Sequence, residues 1–130
     1  MTLRITSILV LGLLLSACLR DETIAGYDNG QTWHLSEMQG KSVDVPVTLS
    51  FGNRGKVTGQ GPCNGFTAQQ SAPLPWIAID QITATEMSCP DLETEMAFFK
   101  ALESMTLAEL SGDVLLLSND SGAQLVFRAK

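Results

Sequence analysis

Residues 45–59 read Val-Pro-Val-Thr-Leu-Ser-Phe-Gly-Asn-Arg-Gly-Lys-Val-Thr-Gly. Val47, Leu49 and Phe51 alternate with polar neighbours, which is the period of a strand with one buried face. Gly52-Asn53-Arg54-Gly55 has the chemistry of a hairpin turn. Lys56-Val57-Thr58-Gly59 then returns as the partner strand, so the pattern predicts antiparallel β structure.

The segments on either side extend the same reading. Upstream, Thr32-Trp33-His34-Leu35-Ser36 alternates and predicts a first strand with Trp33 and Leu35 facing in. Downstream, Gly59, Gly61 and Pro62 bend the chain, and Phe66 to Gln70 form a further strand. Pro73 and Pro75 mark a turn or a sheet edge, where a missing N–H does no harm. Trp76 to Ile79 read as the next short strand, prolonged by Ile82 to Thr85 after a bend.

One helix is expected, over residues 90–104. Ser88 or Asp91 is its candidate cap, and Glu93 and Glu95 suit its positive amino end. Leu92, Met96, Phe99 and Leu102 make its predicted buried stripe, broadened by Phe98. Three strands follow, at residues 106–110, 114–117 and 124–128, with Leu115, Leu117, Leu125 and Phe127 pointing in. The fold class is therefore mainly β with one helix: a small antiparallel sandwich or barrel of about eight short strands, the helix preceding the last three. Trp33, Leu49, Phe51, Phe99, Leu117 and Phe127 are enough to fill so small an interior, which favours a solid core over a ligand cavity.

The amino terminus reads differently. Arg4 precedes an apolar run, Ile5 to Leu15, that is shorter than the ~20 residues a membrane-spanning helix needs. It fits an export signal. Leu15-Ser16-Ala17-Cys18 resembles a lipobox, the bacterial lipoprotein processing signal. The expected organisation is a signal peptide over residues 1–17, a lipidated amino end and flexible tether over 18–30, and a domain over 31–130. Cys18 is the expected lipidation site. The alternative is an ordinary signal peptide cut nearby, with Cys18 incidental. Leu19, rather than Asp, resembles an outer-membrane address facing the periplasm. An extended twelve-residue tether reaches ~40 Å, which would hold the domain near the lipid surface but off it.

Three cysteines are an odd number for an exported chain. Lipidation of Cys18 leaves Cys63 and Cys89, and an oxidising compartment makes a disulfide between them the expectation. The alternative is a redox or metal site, although no Cys-x-x-Cys is present and His34 is the single histidine.

Arg4 is the one charged residue among the first 17, so the remaining chain carries 14 acids against 7 Lys and Arg. Such a chain repels phosphate backbones, which argues against nucleic-acid partners. No residue stands out for catalysis, cofactor or metal binding. Period-two alternation puts His34 on the outer face of its strand. Asp91, Glu93 and Glu95 diverge around a helix, and their place at its amino end explains them without chemistry. Asn64 and Thr85 flank the cysteines; they either line a binding surface or hydrogen-bond the turns around the disulfide. Trp76 is the third candidate for a binding surface.

Taken together, these motifs resemble the META/HslJ domain family of bacterial envelope proteins across residues 31–129. The resemblance rests on Trp33-x-Leu35, Thr48-Leu49-Ser50-Phe51, Gly55-x-Val57-x-Gly59, Gly61-Pro62-Cys63-Asn64-Gly65-Phe66 and Thr85-x-Met87-x-Cys89-Pro90. The helix with Glu95, Phe98, Phe99 and Leu102 follows, then Leu115-x-Leu117 and Leu125-x-Phe127. The chain departs from the family pattern at residues 69–73, where a Pro-containing connection stands. The resemblance implies a small antiparallel β-barrel-like domain, lipocalin-like in broad topology, closed by the helix. The family's naming implies a role in envelope stress.

The expected function is that of a non-catalytic lipoprotein, membrane-attached through Cys18, that binds or supports an envelope protein or a cell-wall component. One alternative is an inhibitor or small-ligand binder using Leu74-Pro75-Trp76. Another is an envelope hydrolase, which requires His34 or a pair of acids in a cleft.

Overall fold

The computed structural model describes residues 20–130. The expected signal segment and Cys18 lie outside the described residues. The quoted hairpin is present: β3 (Thr48–Phe51) pairs antiparallel with β4 (Lys56–Gln60), with Thr48 opposite Gln60 and Phe51 opposite Val57. Arg54 and Gly55 take left-handed backbone conformations in the turn, at φ 58° and 73°. This is the geometry that Gly and short turn residues make accessible.

The remaining strands are β1 (Thr32–Met38), β2 (Lys41–Ser42), β5 (Gly65–Gln70), β6 (Ile79–Ala84), β7 (Leu107–Ser111), β8 (Val114–Ser118) and β9 (Gln124–Ala129). They form one antiparallel sheet in the order β6-β5-β4-β3-β1-β9-β8-β7, with the short β2 added to β1. The sheet curls into an open half-barrel. Among the described residues one α-helix, α1 (Leu92–Ser104), lies between β6 and β7 in the chain and packs on the inside of the curl. The fold class read from the strand pattern thus holds.

The inward-facing residues are those that alternation selects. Trp33, Leu49, Leu115, Leu117, Leu125 and Phe127 are fully buried. Phe98 joins them from α1, 5.9 Å from the Phe66 ring and 6.4 Å from Phe127. Gly59 lies over this aromatic group. A Cβ built there would run into the Thr48 carbonyl and the Phe66 ring. Gly59→Ala should therefore cost about 1–3 kcal/mol through overpacking, read as a lowered urea midpoint. An unchanged midpoint would refute the close approach.

Three expectations are corrected. First, α1 is rotated from its predicted face. Glu95, Phe98, Ala101 and Leu102 are its buried residues, while Met96 is 65% exposed and Phe99 is half-buried against Phe66. The apolar spacing fits two neighbouring faces, and the one selected turns Glu95 inward. Asp91 stands at the cap position, but its side chain makes no capping bond.

Second, residues 76–79 do not form one strand. β6 starts at Ile79, and the residues before it cross to the far edge of the sheet. Trp76 bridges Leu107, the Ile77 N–H donates to the Thr106 carbonyl, and the Ala108 N–H donates to the Pro75 carbonyl. The buried Gln70 amide makes this corner possible. Its Oε1 accepts from the N–H groups of Ala72 and Ala78, and its Nε2 donates to the Ala72 carbonyl. A side chain thus satisfies the backbone groups that the sheet leaves unpaired there.

Third, much of the expected tether belongs to the domain. The Glu22 carbonyl accepts the Leu74 N–H, and Thr23 bridges Pro73. Ile24 is buried in a short 3-10 turn, and buried Asp28 accepts the Trp33 indole N–H at 3.1 Å. An apolar side chain and a satisfied buried carboxylate hold this segment, which its polar composition does not announce.

Candidate binding surface and the polar clamp under the helix

The clearest polar constellation joins the turn after β4 to the first turns of α1. Glu95, 2% exposed, projects into the Gly61–Asn64 turn. Its Oε1 accepts the N–H groups of Cys63 and Asn64, at 3.1 and 2.7 Å, and its Oε2 accepts Asn64 Nδ2 at 2.6 Å. Three donors converge on one acceptor-only group, which suits a charge-assisted arrangement. Gly61 is required for this approach, since a Cβ there would overlap the Glu95 carboxylate.

Asn64 is the hub on the other side. Its Nδ2 also donates to the Met87 carbonyl at 3.0 Å, and its Oδ1 accepts from Thr85 Oγ1 and the Met87 N–H at 2.8 and 2.7 Å. Cys63 and Cys89 are bonded, with their Cα atoms 5.7 Å apart, so the covalent link and the polar clamp tie the same two segments. Asn64 is 2% exposed and its amide is fully engaged. The expectation that Asn64 lines a binding surface is therefore corrected: burial removes it from any partner. Thr85 is exposed, but its hydroxyl is turned to Asn64 and serves the same turn. Sequence reading placed Glu95 with the charge at the helix end and missed its partner. Gly61 and Asn64 in one motif were the available signal.

Trp76 behaves as a candidate surface residue does, at 56% exposed. It follows Leu74 and Pro75, which line a surface cleft of about 520 Å³ together with Tyr27, Asn29, Gln31 and Leu110. The cleft floor reaches Trp33, and Tyr27 is 41% exposed at its rim. Nearby, Asp21 accepts from the Oγ1 and N–H of Thr23, and these hydrogen bonds hold its carboxyl below the usual carboxylate range.

His34 is half-buried on β1, between Thr48 and Arg128 on the flanking strands. Glu95 is taken up by the clamp, away from it. Among the described residues no group of three or more His, Cys, Asp or Glu side chains is placed to hold a metal ion. No helix among them is long and apolar enough to cross a membrane.

The family model for the META domain matches residues 25–130. No curated protein matches the chain. Solved structures share its fold. A protein from Burkholderia xenovorans, determined by NMR, is 21% identical with a TM-score of 0.64, covering 78% of this chain and 82% of its own. A DUF4847 family protein from Bacteroides vulgatus is 16% identical with a TM-score of 0.67, covering 82% of this chain and 96% of its own. The matched span begins at residue 25, within the short 3-10 turn that the structure packs onto the sheet. With the half-barrel, the helix and the clamp motif inside that span, the chain belongs to the META domain family.

Proposed function

We propose that this chain is a lipid-anchored envelope protein whose META domain works by recognition and not by catalysis. The carrying observation is the fate of the cysteines: Cys63 is bonded to Cys89, which leaves Cys18, at the end of Leu15-Ser16-Ala17-Cys18, as the remaining thiol. In this reading the lipid at Cys18 holds the domain at the outer membrane, on the periplasmic side, where it binds or supports another envelope protein or a cell-wall component. The family's naming supports a role in envelope stress. Several acyl chains on one residue exceed the two-signal minimum for stable anchoring.

Intact-mass measurement of the protein extracted from membranes is the test. The expected mass starts at Cys18 and includes acyl groups. A chain cut elsewhere, with an unmodified Cys18, would refute the anchor.

A second reading is an inhibitor or small-ligand binder. The cleft of about 520 Å³ beside the exposed Trp76 favours it, being within the usual size range of ligand sites. Crosslinking in cells separates the readings, since an envelope macromolecule is captured under the first and a small molecule occupies the cleft under the second.

A further inference from the structure

The chain joins the fold earlier than its composition predicts. Glu22 is hydrogen-bonded to Leu74, Thr23 is bridged to Pro73, and Ile24 is buried. Four peptide links separate Cys18 from Glu22, a reach of at most ~14 Å, not the ~40 Å of a free twelve-residue tether. A lipid on Cys18 therefore holds residues 22 and 74 close to the headgroups.

The surface around that point is unusual for this domain. Tyr27, Trp76, Met87 and Met96 are the large hydrophobic residues left exposed among the described residues. Trp76 lies two residues from Leu74, and Tyr27 lies five residues from Glu22. Tyr and Trp, with an apolar body and a polar tip, are the side chains that favour the membrane–water interface. Arg20 places its guanidinium 5.0 Å from the centre of the Tyr27 ring, adding a cation beside that aromatic. Asp21 and Glu22, both exposed acids, follow Arg20 directly in the chain. They oppose an anionic headgroup and suit one with a free ammonium.

We infer that this face docks on the bilayer that holds the Cys18 lipid, with Trp76 and Tyr27 at headgroup depth in a phosphatidylethanolamine-rich leaflet. The inference rests on the lipid anchor proposed above. Neither aromatic residue needs high intrinsic affinity, because the short leash keeps the face at a high local concentration of lipid. Docking fixes which side of the half-barrel faces the membrane and leaves the opposite sheet surface for a partner.

The test uses the full acylated protein in phosphatidylethanolamine-rich vesicles, with and without brominated acyl chains, beside the Trp76→Phe variant. Trp33, fully buried, is the other tryptophan and serves as the internal background. Docking on unbrominated vesicles should blue-shift the Trp76 emission, and bromine should remove roughly half of it, while leaving Trp76→Phe unchanged. Parent emission that bromine leaves undiminished overturns the docking. A photo-crosslinking residue at position 76 in cells should yield lipid adducts, whereas a dominant protein adduct also overturns it. Intact mass distinguishes the two levels: missing acyl groups refute the anchor, while acylated protein with unquenched Trp76 refutes the docking alone.

Discussion

Glu95→Gln should lower the stability of the folded domain by about 2–4 kcal/mol, although the change removes one charge and almost no volume. The geometry explains why so small a change is costly. Oε1 of Glu95 accepts two backbone N–H groups, from Cys63 and Asn64. A glutamine keeps those bonds only by placing its carbonyl oxygen there, which turns its NH2 group toward Asn64 Nδ2. Two donors then face each other in a buried site. Asn64 cannot flip to repair this, because its Oδ1 accepts from Thr85 and Met87 on the other side.

The repair is a second substitution. Asn64→Asp in the Glu95→Gln background presents an acceptor to the new NH2 group and retains the acceptor for Thr85 and Met87. The Met87 carbonyl loses its donor, so recovery should be large but incomplete. Alone, Asn64→Asp sets carboxylate against carboxylate and should destabilise. Urea melts of the four proteins give the coupling, expected at about 1–3 kcal/mol in favour of the double variant. Additive effects, or a Glu95→Gln protein as stable as the parent, would show that the clamp does not bear on stability.

Opening the Cys63–Cys89 bond should remove about 3–4 kcal/mol, from the loop-closure entropy of its 26-residue separation. For a domain of this size that is a large share of the total, and the thermal midpoint should fall by more than 10 °C, at roughly 4–8 °C per kcal/mol. Reduction of the purified folded protein is the direct measurement. The Cys63→Ser, Cys89→Ser pair gives the same quantity without a reductant. A midpoint unmoved by reduction would show that the link constrains nothing the fold does not already hold. Because the Cys63 N–H also donates to Glu95, loss of the bond and loss of the carboxylate act on one turn and should not add.

The strands were legible because each has one buried face, and alternation records it. Trp33 and Leu35, Leu49 and Phe51, Leu115 and Leu117, and Leu125 and Phe127 were assigned inward from their spacing, and all eight are buried. The disulfide was legible from counting. The candidate surface was read less well: Trp76 is exposed, but Asn64 is sealed inside. Hydrophobic periodicity carries no mark for a polar residue that goes in because a partner waits there. Glu95, Asn64, Gln70 and Asp28 are all of this kind: Glu95 and Asn64 satisfy groups distant in the chain, Gln70 those at a corner of the sheet, and Asp28 the indole of the buried Trp33.

Local sequence by itself determined the positions of the strands other than β2 and β6, an α-helix near residues 90–104 and the pairing of two cysteines. These follow from side-chain period, turn chemistry and the parity of thiols, none of which needs a third dimension. Only the tertiary structure decided which face of α1 turns inward, that residues 22–28 are part of the domain, and that Pro75 to Ile77 cross to the opposite sheet edge. In each case the choice lies between conformations of nearly equal local preference. A hydrogen bond between residues far apart in the chain tips the balance.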